Sequence, residues 1–366
     1  RSRAGRSARK ICWPNSRNGW QDSPPQDCVE GRLHRALCII LMATLVNIDE
    51  HDTWKVQDAT KLQAYMNCPR RYFFEYVLGW RSEIPNNHLE FGTAWHMAME
   101  VFYEKGVSLE SAAEGYKKFE EYYREQFDET WDEGNAPKNP GNALRALAQY
   151  VQTYQDVDDF EVLHIEVAGS VAIAPDKPIY FKTDTICRDG SGVFSLEHKT
   201  GSYFNTKWAA QWRQKMQVSV YSHVLFCLFE PEEVYGVKIN GVFFSNAPRT
   251  KANGEPYANS RDNEFHRVPV RKNLAAMQAW LVEVTRWYDM IQDDFNRLAS
   301  AKEEDEVLEA FPRNTESCTQ YGPCPFLDYC SVWNNPLQYA DSPPIGYHVE
   351  HWDPRKIPGV RETVEL

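Results

Sequence analysis

Residues 181–201, FKTDTICRDGSGVFSLEHKTG, contain two apolar runs on either side of the turn residues Asp-Gly-Ser-Gly at 189–192. Short apolar runs that flank such a turn predict a β-hairpin. Asp184 lies in the first run and Glu197 near the end of the second, so the two carboxylates are expected on neighbouring strands, facing the same way. Glu197 and Lys199 are two residues apart and therefore share one face of their strand. The segment thus predicts two acids and one lysine close together in a sheet.

This set of charged residues suits the hydrolysis of a phosphodiester. Mg²⁺ and Mn²⁺ prefer oxygen ligands, and a bound ion eases deprotonation of water and neutralises a phosphate. Lys199 adds a point charge near the nucleophile or the scissile phosphate, and Glu166 on the preceding strand is a third candidate carboxylate. The alternative is a solvated edge strand, because charged residues also alternate on such strands. The spacing alone does not separate the two.

The chain around this hairpin predicts helices that are segregated from a mixed sheet. Apolar residues three and four apart predict helices in two pieces within 60–105, and at 108–127, 141–157, 206–229 and 274–295. Further strand-like runs lie at 160–173, 234–245 and 264–270. This order predicts an α/β or α+β core, in which a small mixed β-sheet is flanked by helices.

Composition restricts the class of protein. Of the 366 residues 42% are hydrophobic and 25% are charged, which is a globular composition. The net charge is −12; residues 1–41 hold eight basic and three acidic side chains, or +5, so the remainder holds −17. Such an acidic protein does not coat duplex DNA through bulk charge, and any nucleic-acid contact must be local or pass through metal ions. The nine cysteines are too sparse for a disulfide scaffold, and no apolar run is long enough to span a bilayer, so a cytoplasmic protein is expected.

We expect five divisions of the chain. The basic, aperiodic start, which begins with Arg and precedes Met42, is expected to be a non-native or disordered leader. The expected divisions are the leader at 1–41, a helical region with Cys68 and His96 at 42–159, a catalytic core at 160–300, a cysteine module at 301–335 and a tail at 336–366.

The order of five motifs resembles the RecB-type branch of the PD-(D/E)XK nuclease superfamily. The motifs are LQAYMNCPRRYFFEYVLGW, LEFGTAWHMAMEVF, FKTDTI, LEHKTG and QVSVY. The resemblance covers roughly residues 58–333. It implies a restriction-endonuclease-like core, cleavage of DNA with Mg²⁺ or Mn²⁺, and a prokaryotic or phage-encoded protein.

The resemblance also implies roles for individual residues. It assigns His96, Asp184 and Glu197 as metal ligands, with a backbone carbonyl of the Glu197–His198 region beside them, and Lys199 as the residue that positions or helps deprotonate the attacking water. Gln217 and Tyr221 match the family's QxxxY motif, whose members orient the lysine or touch DNA. The residues themselves leave alternatives open: His96 suits a hydrogen-bonded core position, and Gln217 and Tyr221 suit ordinary packing.

A second group of residues needs a separate explanation. Cys318, Cys324 and Cys330 are spaced by five residues each, without the Cys-x2-Cys hairpin of most zinc sites. The natural fourth thiol is Cys68. One cysteine before and three after the nuclease motifs resemble the iron–sulfur subset of this branch, which includes the AddB nuclease and CRISPR-adaptation exonucleases. That resemblance implies a 4Fe–4S cluster with a structural role; free thiols or a structural zinc are the alternatives.

Taken together, the sequence predicts a metal-dependent DNA nuclease, and in particular an exonuclease acting on DNA ends or single strands. Recombination, repair, phage DNA processing and CRISPR adaptation are the settings that the resemblance implies. No helicase P-loop is present in the sequence, so a motor would be a separate subunit. The segment with Lys207, Trp208, Trp212, Arg213 and Lys215 suits a single strand or, equally, a solvated helix face. The rival function is a DNA-binding or structural module that does not cleave.

Overall fold

The computed structural model describes the chain from residue 48 onward, with short gaps. The described residues are 48, 50–246, 251, 253, 255, 261–320 and 322–366. The predicted leader at 1–41, with Cys12, Cys28 and Cys38, lies outside them. No helix in the described part is both long and apolar enough to cross a membrane.

A mixed β-sheet forms the centre of the protein. The strands are β1 (Gln57–Asp58), β2 (Trp80–Ser82), β3 (Glu161–Ala174), β4 (Lys177–Asp189), β5 (Gly192–Gly201), β6 (Val234–Phe243), β7 (Glu264–Val270), β8 (Tyr347–Val349) and β9 (Glu362–Glu365). The main sheet has the order β7-β6-β5-β4-β3-β9, and β1 joins it beside β4. β5 and β6 are parallel, as are β3 and β9, whereas β3, β4 and β5 form an antiparallel meander. The predicted hairpin is therefore confirmed at the centre of the sheet.

Helices cover both faces of this sheet. They are α1 (Ala59–Asn67), α2 (Pro69–Tyr72), α3 (Asn87–Lys105), α4 (Leu109–Gln126), α5 (Pro140–Tyr154), α6 (Thr206–Gln211), α7 (Met216–Leu228), α8 (Leu274–Leu298) and α9 (Leu327–Val332). A π-helical turn, Phe73–Val77, follows α2. The buried apolar side chains of α3, α4 and α5 pack on one face of the sheet, and those of α1, α7 and α8 pack on the other. The predicted class, a mixed sheet flanked by helices, is confirmed.

The helix predicted at 206–229 is interrupted. A 3-10 turn covers Trp212–Gln214, and Lys215 is extended at φ −65° and ψ 136° before α7 begins. No proline or glycine marks this break, so local propensity predicts one continuous helix. Tertiary packing overrides that propensity, because the break buries Trp212 and sets α7 against β5.

The last residues of the chain complete the sheet, although no strand is evident there from the sequence. β9 pairs with β3 along Val167–Ser170, and Arg361 donates its backbone N–H to the carbonyl of Glu166 at 3.1 Å. The Arg361 guanidinium donates to Glu100 at 2.8 Å and to Glu104 at 2.8 Å, both on α3. The tail therefore ties the edge of the sheet to α3. Its pairing partners are more than 190 residues away in the chain, so no local pattern predicts it.

Candidate active site

Three carboxylates lie in one row across the three strands of the meander. Glu166 on β3 lies between two paired positions that bracket Asp184 on β4. The pairing of β4 with β5 ends at Thr185 and Leu196, so Asp184 and Glu197 are the first residues beyond it. The strands separate where the acids begin, and the backbone there is free to bond with side chains. The structure thus brings together the two acids of the predicted hairpin and the third candidate carboxylate, Glu166.

Glu166 has an unusual backbone for a strand residue. Its φ is +54°, a left-handed conformation that is strained for a side chain of this size. Its buried carboxylate forms an ion pair with Lys182. Burial, followed by the nearby charge of Asp184, raises the pKa of Glu166 to about 7. Lys182 was not among the predicted site residues, although its place two residues before Asp184 puts both on one face of β4.

Asp184 is held by two groups. Its Oδ2 accepts the backbone N–H of His198 at 2.8 Å, and its Oδ1 lies 3.2 Å from Nδ1 of His96 on α3. Burial lowers the pKa of His96, but the Asp184 charge more than offsets this and the pKa is raised. The pKa of Asp184 is lowered in spite of burial, because the positive charge of His96 favours the carboxylate. His96 therefore faces the acids rather than the apolar core.

Glu197 is the most enclosed of the acids, at 1% exposure. Its Oε1 accepts from Lys199 Nζ and, at 2.9 Å, from Gln217 Nε2 on α7. Gln217 Nε2 also lies 2.8 Å from the Tyr221 hydroxyl, which donates to the carbonyl of Lys182 at 2.5 Å. Burial and the charge of Asp184 raise the pKa of Glu197. Gln217 and Tyr221 thus link α7 to both β4 and β5 instead of packing passively.

The donors around Glu197 fit a divalent cation in their chemistry. Glu197 Oε2 is buried and has no hydrogen-bond partner. Two neighbouring carboxylates repel each other when both are ionised, and a cation bound between them removes this repulsion. As the side chains stand, no three His, Cys, Asp or Glu residues of the described part form a group arranged to hold a metal ion. The fit therefore rests on donor type and on the unpartnered oxygen.

A buried hydrogen-bond network lies behind His198. Asn240 Nδ2 lies 2.9 Å from His198 Nδ1 and donates to the Tyr150 hydroxyl at 2.8 Å. Tyr103 stacks on the His198 ring, with centroids 5.2 Å apart, and Arg267 donates to Asn240 Oδ1 at 3.3 Å. Burial lowers the pKa of His198 to about 3, so the ring is neutral. The side chain of His198 faces α3, and only its backbone faces Asp184. Asn240 lies opposite His198 in the parallel ladder, which the sequence does not reveal.

We expect Asp158→Ala to lower the free energy of unfolding by about 3–5 kcal/mol, the typical cost of removing one partner of a buried ion pair. Asp158 holds the guanidinium of Arg267 in a two-point contact, with Nη2 to Oδ2 at 2.7 Å, and both side chains are largely buried. Urea unfolding measures the change. Asp159→Ala, an exposed neighbour, is the matched control. Equal stability of the two variants would show that water replaces the carboxylate at no cost.

The basic and aromatic segment at 207–215 divides between its two interpretations. Trp212 is 8% exposed, and Trp208 packs edge-on against Phe243 with centroids 4.7 Å apart. Lys207 and Arg213 are exposed. The tryptophans therefore serve the core, and the cations remain available at the surface.

The four cysteines of the predicted cluster come from distant parts of the chain into one region. Burial raises the pKa values of Cys324 and Cys330, and the nearby Cys68 and Cys318 raise them slightly further. As the side chains stand, no three of these described cysteines form a group arranged to hold a metal ion. The backbone N–H of Cys324 donates to the carbonyl of Cys318 at 2.8 Å. Nearby arginines have the opposite effect. Arg71 lowers the pKa of Cys324, and Arg313 and Arg70 lower that of Cys330. The arginines favour the thiolate forms and so offset part of the rise in pKa that burial causes.

The fold and the site together define an α/β protein of the restriction-endonuclease-like class, with an acid–acid–lysine set at the centre of the sheet. A family model for the PD-(D/E)XK nuclease superfamily matches residues 59–331, about three quarters of the chain. The chain therefore belongs to the PD-(D/E)XK nuclease superfamily, and a nuclease is the activity that this membership supports. No curated protein matches the chain. The matched residues end before β8 and β9, so the tail lies outside the part shared with the family.

Proposed function

We propose that this protein is a metal-dependent DNA nuclease of the RecB-like branch, and that it acts as an exonuclease on free ends or single strands. The observation that carries the proposal is Glu197: a fully buried carboxylate beside a second carboxylate, with a lysine on one oxygen and nothing on the other. A structural ion pair does not need the unpartnered oxygen, whereas a cation site does.

The proposed cation is Mg²⁺ or Mn²⁺, and its ligands are His96, Asp184, Glu197 and the backbone carbonyl of His198. A divalent cation at this position supplies Lewis acidity and neutralises charge on a phosphate. The His198 backbone N–H fixes one oxygen of Asp184, so the other stays directed at His96. The protein thus orients its donors before any ion or substrate arrives.

Lys199 is proposed to position the attacking water and to help remove its proton. Its ammonium contacts Glu197, and the side chain as a whole is 23% exposed, so Lys199 lies between the buried acid and the solvent. Gln217 keeps Glu197 Oε1 in place, and Tyr221 anchors Gln217 to β4. These contacts leave Lys199 with hydrogens to spare for a water or a phosphate oxygen.

Cys68, Cys318, Cys324 and Cys330 are proposed to hold a 4Fe–4S cluster. The convergence of four thiols among three arginines supports this assignment, because a cluster with four thiolates carries net negative charge. When bound, the cluster would join the segment before α2 to the residues around α9. DNA processing, recombination, repair or CRISPR adaptation are the proposed settings, with a separate helicase or recombination subunit as partner.

The proposal predicts metal-dependent loss of end-labelled DNA. Anaerobically purified protein is incubated with Mg²⁺, Mn²⁺ or EDTA and with single-stranded, blunt duplex and circular DNA. We expect cleavage with either metal ion, none with EDTA, and resistance of the circle. Lys199→Ala is expected to abolish cleavage, and Lys117→Ala, which changes an exposed lysine on α4, to leave it intact.

Two outcomes would contradict the proposal. Absence of cleavage by folded, cluster-loaded protein would move the function to DNA binding or to a partner-dependent role. Equal cleavage by wild type and Lys199→Ala would show that the nuclease activity comes from another site or from a contaminant.

A further inference from the structure

Lys138 is a buried cation that none of the preceding roles uses. It lies in the loop between α4 and α5 and is 5% exposed. Its Nζ donates to the hydroxyl of Thr200 at 3.1 Å and lies 5.9 Å from the centre of the Phe91 ring. Two of its three hydrogens have no partner among the described residues.

No carboxylate compensates this charge within the described part of the chain. The ion pairs found there do not include Lys138, although Lys61, Lys182 and Lys199 are matched with carboxylates or backbone carbonyls. Burial alone lowers the pKa of Lys138 to about 8. Removing an ammonium from water without a counter-ion costs several kcal/mol, and a hydroxyl and an aromatic ring recover only part of that.

Hydrogen bonds fix the backbone of the loop around Lys138. The backbone N–H of Lys138 donates to the carbonyl of Asn135 at 2.9 Å, and its carbonyl accepts from Asn87 Nδ2 at 3.1 Å. Asn142 donates to the carbonyl of Pro137 at 2.7 Å. An ammonium in solvent would avoid this cost, yet Lys138 is 5% exposed and its side chain points inward to Thr200. A buried charge that folding does not require points to a ligand of opposite charge.

The position of Lys138 relative to the acids identifies that ligand. Thr200 directly follows Lys199 and, like His198, faces α3. It is three residues beyond Glu197, or about 10 Å along the strand. Gly92 on α3 lies across from Thr200, because a Cβ atom at Gly92 would be 3.9 Å from the Thr200 hydroxyl oxygen. Gly92 precedes His96 by one helical turn. Glu197 faces the other side of β5 and contacts α7. The Lys138–Thr200 pair therefore lies on the α3 side of the strand, one helical turn along α3 from His96.

We infer that Lys138 and Thr200 bind a backbone phosphate of the nucleic-acid strand, other than the phosphate that is cleaved, where the strand runs along α3 past His96. Lys138 Nζ has two hydrogens for its oxygens, and the Thr200 hydroxyl, which accepts from Lys138, can donate its own hydrogen to the same group. The absence of a side chain at Gly92 leaves room for the strand. This inference rests on the proposed nuclease function, and it explains how an acidic protein obtains a local phosphate contact.

The test uses Lys138→Met, which keeps the length of the side chain and removes its charge. If folding alone determined this position, the variant would gain stability and lose nothing. We expect the melting temperature to rise in either case. If Lys138 binds a phosphate, the Kd for a single-stranded oligonucleotide, measured in EDTA to prevent cleavage, should also rise about tenfold. The slope of log Kd against log salt should fall by about one, as for the loss of one phosphate contact. With metal present, KM should rise more than kcat falls.

Three controls keep the outcome interpretable. Lys117→Met removes an exposed lysine from α4 and should change neither Kd nor slope. Lys138→Gln, which can still donate to Thr200, should weaken binding as Lys138→Met does, and it serves if the methionine variant does not fold. Lys138→Arg should keep the charge and most of the affinity. Inorganic phosphate and a mononucleotide are titrated in parallel, to separate a strand phosphate from a free one.

An unchanged Kd and salt slope in both neutral variants, with wild type binding and cleaving DNA, would overturn the inference and leave the nuclease function standing. A dependence on Lys138 for the mononucleotide but not for the oligonucleotide would also overturn the assignment to a strand phosphate. If wild type neither binds nor cleaves DNA, the proposed function fails first, and the phosphate assignment fails with it.

Discussion

Replacing Glu197 by glutamine is expected to reduce cleavage by about a thousandfold or more, equivalent to about 4 kcal/mol of transition-state stabilisation. The change keeps the shape of the side chain and an oxygen that can accept from Lys199 and Gln217. It removes the charge that the proposed cation requires and the carboxylate that Lys199 now contacts. Single-turnover cleavage of end-labelled DNA measures the effect, and the loss should appear in kcat rather than in KM.

The same substitution should not destabilise the protein. Glu197 is buried beside Asp184, one of its oxygens has no partner, and its pKa is raised. An acid whose pKa is raised in the folded state costs stability once the pH is high enough to ionise it. At pH 8 the loss of the ion pair with Lys199 is offset by this cost and by the glutamine oxygen that still accepts from Lys199. The free energy of unfolding of Glu197→Gln should therefore be close to that of wild type. Lower activity together with undiminished stability is the mark of a residue retained for function.

Glu161→Gln is the matched control, because it changes an exposed carboxylate on β3. It should leave cleavage and stability unaltered. A Glu197→Gln protein that cleaves within tenfold of wild type would remove Glu197 from the metal site. A variant that is strongly destabilised would instead show that the carboxylate has a structural role with Lys199 and Gln217.

The sequence specifies the residues of this site better than their arrangement. Asp184, Glu197 and Lys199 are predictable because strand parity and a turn signal act over fewer than twenty residues. Glu166 was only a weak candidate, since its place beside Asp184 depends on the register of β3 with β4 and on a left-handed backbone. Register and strain are set by packing over the whole sheet, and neither leaves a local pattern.

Contacts between distant segments were the least predictable part of the structure. Lys138 looks like an ordinary loop lysine in DEGNAPKNPG, and only the fold shows that it is buried against Thr200. Arg361 looks like part of a polar tail, yet it joins β3 to α3. The break before Lys215 has no proline or glycine to announce it. In each case a tertiary contact outweighs a local preference that the sequence expresses plainly.

In the cysteine region, one part of the arrangement follows from local spacing and another part depends on contacts between distant segments. The spacing of Cys318, Cys324 and Cys330 indicates three ligands, and Cys68 is the natural candidate for the fourth, but only the resemblance implies a 4Fe–4S cluster. In the structure the backbone N–H of Asn314 donates to Cys68 Sγ at 3.4 Å, and the Asn314 side chain donates to the carbonyl of Asn67 at 2.8 Å. The segment that holds Cys68 is thus already joined to the segment that leads to Cys318. These hydrogen bonds tie the two segments together, although no three of the described cysteines form a group arranged to hold a metal ion.

We expect Cys68→Ser to remove the iron of the anaerobically purified protein and to lower its melting temperature by several degrees. Wild type should be brown, with about four iron atoms per chain. Serine keeps the volume of the side chain, and Cys68 is extended and followed by Pro69, a backbone that serine also adopts. The substitution therefore removes a thiolate with little other disturbance. Iron analysis, the visible absorption spectrum and thermal unfolding measure the three consequences.

Cys227→Ser is the matched control, because Cys227 is exposed on α7 and far in the chain from the proposed set. It should keep both colour and iron. Full iron content in Cys68→Ser would exclude Cys68 as a ligand, and a colourless wild type with one zinc per chain would replace the cluster by a structural zinc site. Arg70 on α2 donates to the carbonyls of Leu308 and Phe311 at 3.0 and 2.9 Å, and neither contact involves Cys68. These hydrogen bonds should therefore remain in the variant and keep α2 attached to residues 308–311. Loss of the cluster should weaken the fold around α2 and α9 before it affects the acids at Asp184 and Glu197. The variant should therefore still cleave DNA at low temperature with a metal ion, although it has lost the visible absorption of the cluster.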